Sequence, residues 1–154
     1  MGFSTVTTHL IMFIAVMGMA TGMITVFKNY VDESSGAMTA QWNTMSETLK
    51  TDITITSASW DNSSNTTTVY VLNTGKTTLD PEKTDIYLDG LFIPRTSSNR
   101  TIGVENSTDA RNKGLWDPKE VLRVQVFRHL SSGIHTVDVA TQFGVTDSET
   151  LSVS

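Results

Sequence analysis

The hydrophobic pattern of the chain changes twice, and each change marks a different kind of element. Residues 10–27 form an unbroken run of eighteen residues without a charge, Pro, Asn or Gln. Between residues 28 and 49 the apolar positions recur at alternating spacings of three and four, which is typical of an amphipathic helix. From Thr51 onward apolar and polar residues alternate in short runs separated by turn residues, which indicates β-strands.

The uncharged run predicts a transmembrane helix over residues 1–28. Eighteen residues at about 1.5 Å each cover roughly 27 Å, and residues 6–9 extend this toward the ~30 Å apolar core of a bilayer. A buried core helix is an alternative, but nothing downstream provides a matching helical bundle. A cleaved secretory signal is a second alternative, but the opening MGFSTVTTH lacks the basic segment typical of such signals. We therefore predict an uncleaved single-pass anchor.

Small side chains form one stripe on this predicted helix. Gly18 and Gly22 make a GxxxG pair, and close backbone approach at such pairs drives helix association in lipid. Small residues are also simply common in membrane helices, so the pattern has a second explanation. The residues predicted to make a helix–helix contact are Ala15, Gly18, Gly22 and Thr25.

Residues 29–50 predict an amphipathic helical stalk. Their apolar positions follow the a and d positions of a heptad, with one polar interruption at Ser35. The seam could contact another chain, or the helix could fold back onto its own β-domain and bury Trp42 and Met45. Both alternatives stay open from the sequence. The predicted seam consists of Val31, Met38, Trp42, Met45 and Leu49.

Residues 51–154 predict an all-β antiparallel sandwich of the general Ig-like kind. Seven or eight short strands with turn signals between them are typical of that architecture. In the clearest strand, Leu122, Val124 and Val126 alternate with less apolar residues, so we expect them to face the core. A weak strand is expected around residues 102–104.

Composition argues against most catalytic functions. The formal net charge of −5 argues against a nucleic-acid partner, and the chain has no Cys. No GxSxG elbow activates a Ser, and the histidines His129 and His135 have no third ligand for a metal. We predict no enzyme activity, no catalytic residues, no cofactor and no metal site.

Four N-x-S/T sequons lie in predicted turns or loops, and they are candidate N-glycosylation sites. Their surface positions favour a β-domain outside the cytoplasm. By the positive-inside rule, Lys28 alone would place the end of the helix that leads to the β-domain in the cytoplasm, but a single lysine is weak evidence for orientation. We therefore expect an extracytoplasmic domain in a single-pass cell-membrane protein. The sequon asparagines are Asn62, Asn65, Asn99 and Asn106.

The whole layout resembles the archaeal flagellum (archaellum) accessory proteins F and G. The opening Met-Gly-Phe-Ser before an uncharged helix is one shared feature, and it resembles protein F more than protein G. The stretches 69–80, 85–90, 115–118 and 133–137 resemble the β-domain of these proteins. The resemblance also extends to the layout of type IV pilins, which have a membrane helix and an outward β-sandwich.

This resemblance implies a structural role in the archaellum motor. Such proteins are thought to act in the stator, where the β-domain binds the S-layer or a sibling accessory protein so that torque turns the filament. The partners implied are the membrane, the S-layer protein and a sibling accessory protein, in a homo- or hetero-oligomer. The main alternative is an archaellin or pilin-like filament subunit. Against it, no basic residue precedes Gly2 and the pilin glutamate is missing. A membrane-anchored binding module unrelated to motility is a third reading.

Overall fold

The computed structural model of this protein describes residues 3–96 and 98–153. One α-helix, α1, comes first, and eight β-strands and a short 3-10 turn (Pro81–Lys83) follow it. Contacts divide the chain into two compact units, Met1–Asn43 and Thr44–Ser154. The elements are α1 (Phe3–Lys50), β1 (Ile53–Asp61), β2 (Thr66–Asn73), β3 (Asp85–Leu88), β4 (Leu91–Phe92), β5 (Arg100–Val104), β6 (Val121–Phe127), β7 (Gly133–Ala140) and β8 (Thr146–Val153).

The helix α1 runs without a break through both the predicted membrane segment and the predicted stalk. By its length and composition alone, α1 is long and apolar enough to cross a membrane. Hydroxyls inside the apolar part donate to carbonyls four residues earlier, from Thr21 to Met17 at 2.8 Å and from Thr25 to Thr21 at 3.0 Å. These bonds satisfy polar groups that a bilayer could not hydrogen-bond. The boundary between anchor and stalk at residue 28 stays a prediction.

The strands form two four-stranded antiparallel sheets, as predicted for a sandwich. One sheet has the order β1-β2-β6-β5, and the other has the order β4-β3-β7-β8. The strand expected around residues 102–104 is β5. The predicted alternation in β6 is also confirmed, because Leu122, Val124 and Val126 are all fully buried. Opposing valines of β2 and β7 complete the core between the sheets.

Two of the four sheet edges lie against each other. Strand β1 runs beside β8, and the Ile55 amide donates to the Asp147 carboxylate across the gap at 2.6 Å. A register shift between Ile55 and Ser57 bends β1 at this point. A side chain that occupies an edge amide in this way prevents pairing with another strand. The open edges of the sandwich are therefore on the side of β4 and β5.

A long loop before β6 is anchored in the core by Trp116. The sequence predicts only a turn over residues 116–120, yet the Trp116 side chain is fully buried. Its main chain pairs in both directions with Leu79 at 2.9 Å, and its indole N–H donates to the Glu120 carbonyl at 2.9 Å. The loop thereby closes one end of the sandwich over β2 and β6.

Candidate interaction surfaces

The small-residue stripe lies on the apolar part of α1. A Cβ added at Gly18 or Gly22 would meet no described atom within 4 Å beyond the backbone of its own helical turns and the adjacent residues. The missing side chain at Gly22 leaves a shallow apolar depression beside Met23 and Phe27. The stripe is thus accessible to a neighbouring helix, and the contact predicted for Ala15, Gly18, Gly22 and Thr25 stays a prediction.

The predicted stalk seam lies further along the same helix, and its side chains are exposed. At 100° per residue, the seam and the small-residue stripe differ in direction by about 170° around a straight helix. The two sets therefore occupy nearly opposite faces, so one neighbour packed along a straight α1 could not cover both. The seam contact of Val31, Met38, Trp42, Met45 and Leu49 also stays a prediction.

The last turn of α1 is bonded to the β2–β3 loop in what we call the helix joint (Glu47–Asp52 with Asn73–Lys76). The Lys76 amide donates to the Lys50 carbonyl at 2.8 Å. The amides of Thr74 and Gly75 donate to the Asp52 carbonyl at 3.0 and 2.9 Å. These bonds satisfy groups that a helix end otherwise leaves without partners.

Gly75 allows the close approach on which the helix joint depends. A Cβ at this position would lie 2.5 Å from the Asp52 nitrogen and 2.7 Å from the Lys50 oxygen. Both are backbone atoms, so a side chain could enter only if the loop or the helix end moved. The sequence marked Asn73-Thr74-Gly75 as the end of a strand, and its contact with the helix end was not predicted.

An exposed groove of mixed polar and apolar lining lies at the open edge of the sandwich. We call it the β4 groove; it has a volume of about 310 Å³ and is lined by Phe92, Ile93, Pro94, Asn99, Val126, Phe127 and Arg128. The two aromatic side chains are 48% and 41% exposed, which is unusual for rings on a small domain. Phe92 also packs against Tyr87, with the ring centroids 5.7 Å apart. Sequence reasoning missed this groove because it combines residues from separate strands.

The two histidines of the β-domain have separate partners. His129 lies 2.8 Å from the Asn65 side-chain oxygen, whereas His135 bonds to Asp89 and to the Ser131 carbonyl. Within residues 3–96 and 98–153, no cluster of three or more His, Asp or Glu side chains is arranged to hold a metal ion.

His135 joins the β3–β4 turn to the loop before β7. Its Nδ1 lies 2.7 Å from the Asp89 carboxylate, and its Nε2 lies 2.8 Å from the Ser131 carbonyl. Both partners are acceptors, so both ring nitrogens are satisfied only when both carry protons. These bonds raise the pKa of His135, and the bond from His135, followed by the Thr136 amide, lowers the pKa of Asp89.

We expect the His135–Asp89 pair to stabilise the fold most in mildly acidic solution. A raised histidine pKa gives stability that is fully present below the unfolded value near 6.5 and is lost as pH rises through the folded value. A lowered aspartate pKa gives stability that is present above 3.8 and is lost as pH falls through the folded value. Urea unfolding of the detergent-solubilised chain should therefore show a larger loss for His135→Gln at pH 5.5 than at pH 8.5. An equal loss at both pH values would contradict the charged pair.

The sequon asparagines differ in their surroundings. Asn62, Asn65 and Asn106 are exposed, whereas Asn99 is half-buried. The Asn65 side chain bonds to His129, and the Asn99 amide donates to the Thr96 hydroxyl at 2.6 Å. The four positions are therefore not equivalent as acceptors.

Comparison with known proteins places the whole architecture in one family. The family model described as archaeal-type flagellin matches residues 2–151, which include both the helix and the β-domain. The chain belongs to the archaeal-type flagellin family. A relative from Archaeoglobus fulgidus, described as an uncharacterized protein, is 27% identical over 161 residues, which cover 99% of this chain and 98% of the relative.

Solved structures show that this family member shares its fold with an archaellum protein. The archaellum periplasmic stator protein FlaG from Sulfolobus acidocaldarius is 24% identical, with a TM-score of 0.51, covering 66% of this chain and 99% of FlaG. The FlaF–FlaG stator complex from the same organism matches at 23% identity and a TM-score of 0.49, covering 64% of this chain and 87% of the matched chain. The resemblance to archaellum proteins is thus confirmed at the level of family and fold. The preference for protein F over protein G stays a prediction.

Proposed function

We propose that this protein is a membrane-anchored structural component of the archaellum motor. In this proposal α1 crosses the cell membrane once, and the β-domain lies outside the cytoplasm. There it binds the S-layer or a sibling accessory protein and resists the torque of the motor. Membership of the archaeal-type flagellin family and the fold shared with a stator protein support this assignment.

The observation that carries the proposal is the helix joint. A protein that resists torque has to pass force between its membrane anchor and its outer domain. The end of α1 is bonded to the sandwich through backbone groups at Lys50 and Asp52, and Thr51 between them is buried. The Thr51 hydroxyl also donates to the Glu47 carbonyl at 2.7 Å. Such a connection supports force transfer better than a flexible linker would.

The β4 groove is the proposed contact surface of the β-domain. Exposed aromatic rings beside an arginine are the side chains enriched at the centres of protein interfaces. Arg128 forms no ion pair within the described residues, so it is available to an acidic group of a partner. We propose that the partner is the S-layer protein or a sibling accessory protein that offers an apolar side chain and a nearby carboxylate.

A filament subunit is the second candidate function. The archaeal-type flagellin match favours it specifically, because the matched residues 2–151 extend through the apolar helix as well as the β-domain. A subunit of a helical filament would use the small-residue stripe and the seam for contacts with its neighbours. The two candidates differ in where the mature protein is found in the cell.

Cell fractionation followed by intact-mass measurement distinguishes the two candidates. We expect the protein in washed membranes, with its N-terminus unprocessed apart from loss of Met1, and not in sheared filaments. Detection of a shortened N-terminus in the filament fraction would reject the motor role and support the subunit role. A known filament protein followed in the same fractions is the control for complete shearing.

A further inference from the structure

The β1–β2 turn presents one of the four sequons in a form that the folded protein leaves accessible. Asn62, Ser63 and Ser64 are all exposed, and they form the tip of a tight turn between two paired strands. The side-chain amide of Asn62 has no hydrogen bond within the described residues. An acceptor asparagine has to offer its amide nitrogen, and the residue two positions later has to offer its hydroxyl. Asn62 meets the first requirement, and Ser64 meets the second once its hydroxyl exchanges its exposed bond to Asp61 for another acceptor.

The turn holds its shape through Asp61 rather than through the asparagine. The Asp61 carboxylate accepts from the Ser63 amide at 2.9 Å, the Ser63 hydroxyl at 2.6 Å and the Ser64 hydroxyl at 2.8 Å. The hydroxyl bonds of Ser63 and Ser64, followed by the bond of the Ser63 amide, lower the pKa of Asp61. The bond from the Ser64 hydroxyl to Asp61 is fully exposed, so the hydroxyl can exchange Asp61 for another acceptor at little cost in free energy.

The folded structure blocks two other sequons at their third residue. In the Asn65 sequon that residue is Thr67, which is fully buried in the core side of β2. In the Asn106 sequon it is Thr108, whose hydroxyl donates to the Glu105 carbonyl at 3.0 Å and accepts from the Val121 amide at 3.1 Å. Neither hydroxyl can turn outward without breaking the sheet or the loop before β6.

The Asn99 sequon is blocked at its first two residues. The Asn99 side-chain amide donates to Thr96, and its carbonyl accepts from the Phe127 amide at 2.8 Å. The middle residue, Arg100, is buried, and its guanidinium donates to the Thr84 carbonyl at 2.8 Å. This segment is a part of the closed sandwich, so it cannot leave the surface to enter an enzyme.

We infer that Asn62 is an N-glycosylation site, and that folding selects it over the other three sequons. The inference rests on the proposed function, because it requires the β-domain to lie outside the cytoplasm. The donor is a sugar linked through phosphate to a lipid, acted on by a membrane transferase. A bond forms between the Asn62 Nδ2 and the anomeric carbon. The bond from that carbon to the phosphate oxygen breaks, the carrier leaves as a lipid phosphate, and the amide nitrogen gives one proton to a base.

Peptide mapping by mass spectrometry of the full chain from native envelopes tests this site. We expect added mass equal to whole sugar units on the peptide that contains Asn62. The added mass should disappear completely in Asn62→Gln and in Ser64→Ala. It should persist in Ser63→Ala, which removes a comparable bond to Asp61 but keeps the sequon, and in Asn106→Gln. Sugar that remains in Asn62→Gln, on any other asparagine, would overturn the selection by folding.

An unmodified chain would overturn the inference, and protease treatment of intact cells separates this result from failure of the proposed function. If added protease digests the β-domain while the chain carries no sugar, the domain is outside and only the glycan site is wrong. If the unmodified β-domain is protected in intact cells and digested in lysed cells, its extracytoplasmic location is also wrong.

Discussion

Replacing Phe92 by Asp is expected to abolish swimming while leaving the protein folded and anchored. Phe92 is 48% exposed and lies on a strand of only two residues, so its loss should change the unfolding free energy by about 1 kcal/mol or less. At the centre of an interface, loss of an aromatic anchor costs about 2–4 kcal/mol, which corresponds to roughly 30- to 1,000-fold weaker binding.

Swim-plate expansion and co-purification with envelope proteins measure this effect. Ile134→Asp is the matched control, because Ile134 is 78% exposed on β7 and does not line the β4 groove. The control should swim normally and keep the same partners. If Phe92→Asp cells swim like the control at an equal amount of membrane-bound protein, the β4 groove is not the surface that binds the partner.

Replacing Trp116 by Ala is expected to destabilise the β-domain by about 3–5 kcal/mol, the usual range for removing a fully buried tryptophan. The substitution leaves a large cavity and deprives the Glu120 carbonyl of the indole N–H. A domain of this kind has only about 5–15 kcal/mol of total stability, so the variant should accumulate poorly and unfold at much lower urea concentration. Trp116→Phe keeps most of the packing and should have a smaller effect.

Urea unfolding of the full chain in detergent, followed by the β-sheet circular dichroism signal, measures this difference. Trp42→Ala is the control of identical chemistry, since Trp42 is 64% exposed on α1. It should shift the unfolding free energy of the β-domain by less than about 0.5 kcal/mol. A midpoint for Trp116→Ala that equals the control would show that the loop before β6 does not contribute to the core.

The spacing of apolar residues predicted the elements in which burial or apolar character follows a regular pattern along the chain. The alternation of Leu122, Val124 and Val126 identified the core face of β6, because a strand between two sheets buries every second side chain. The uncharged run likewise predicted a helix with the length and composition of a membrane span. Trp116 was missed for the opposite reason. Its turn residues were correctly recognised, but its burial depends on Leu79, which lies far away in sequence.

The candidate surfaces were harder to predict, since each combines distant segments. The β4 groove is lined by residues that are distant in sequence, among them Phe92 and Phe127, and no local pattern encodes that combination. The sequons could be found by inspection, but their ranking could not. Burial of Thr67 and the bonds of Thr108 appear only when the strands are paired. The small-residue stripe and the seam stay predictions, because their partners are other chains.

The helix joint also determines where an independently folding domain can begin. Lys50 is helical, yet its carbonyl accepts a hydrogen bond from the Lys76 amide of the β2–β3 loop. The Thr48 hydroxyl lies within 3.3 Å of the Phe143 carbonyl, and the compact unit accordingly starts at Thr44. The final turn of α1 thus belongs thermodynamically to the sandwich. A fragment that started at β1 would lack the Lys50 and Asp52 carbonyls, to which amides of the β2–β3 loop donate, whereas one that started at Thr44 would keep them.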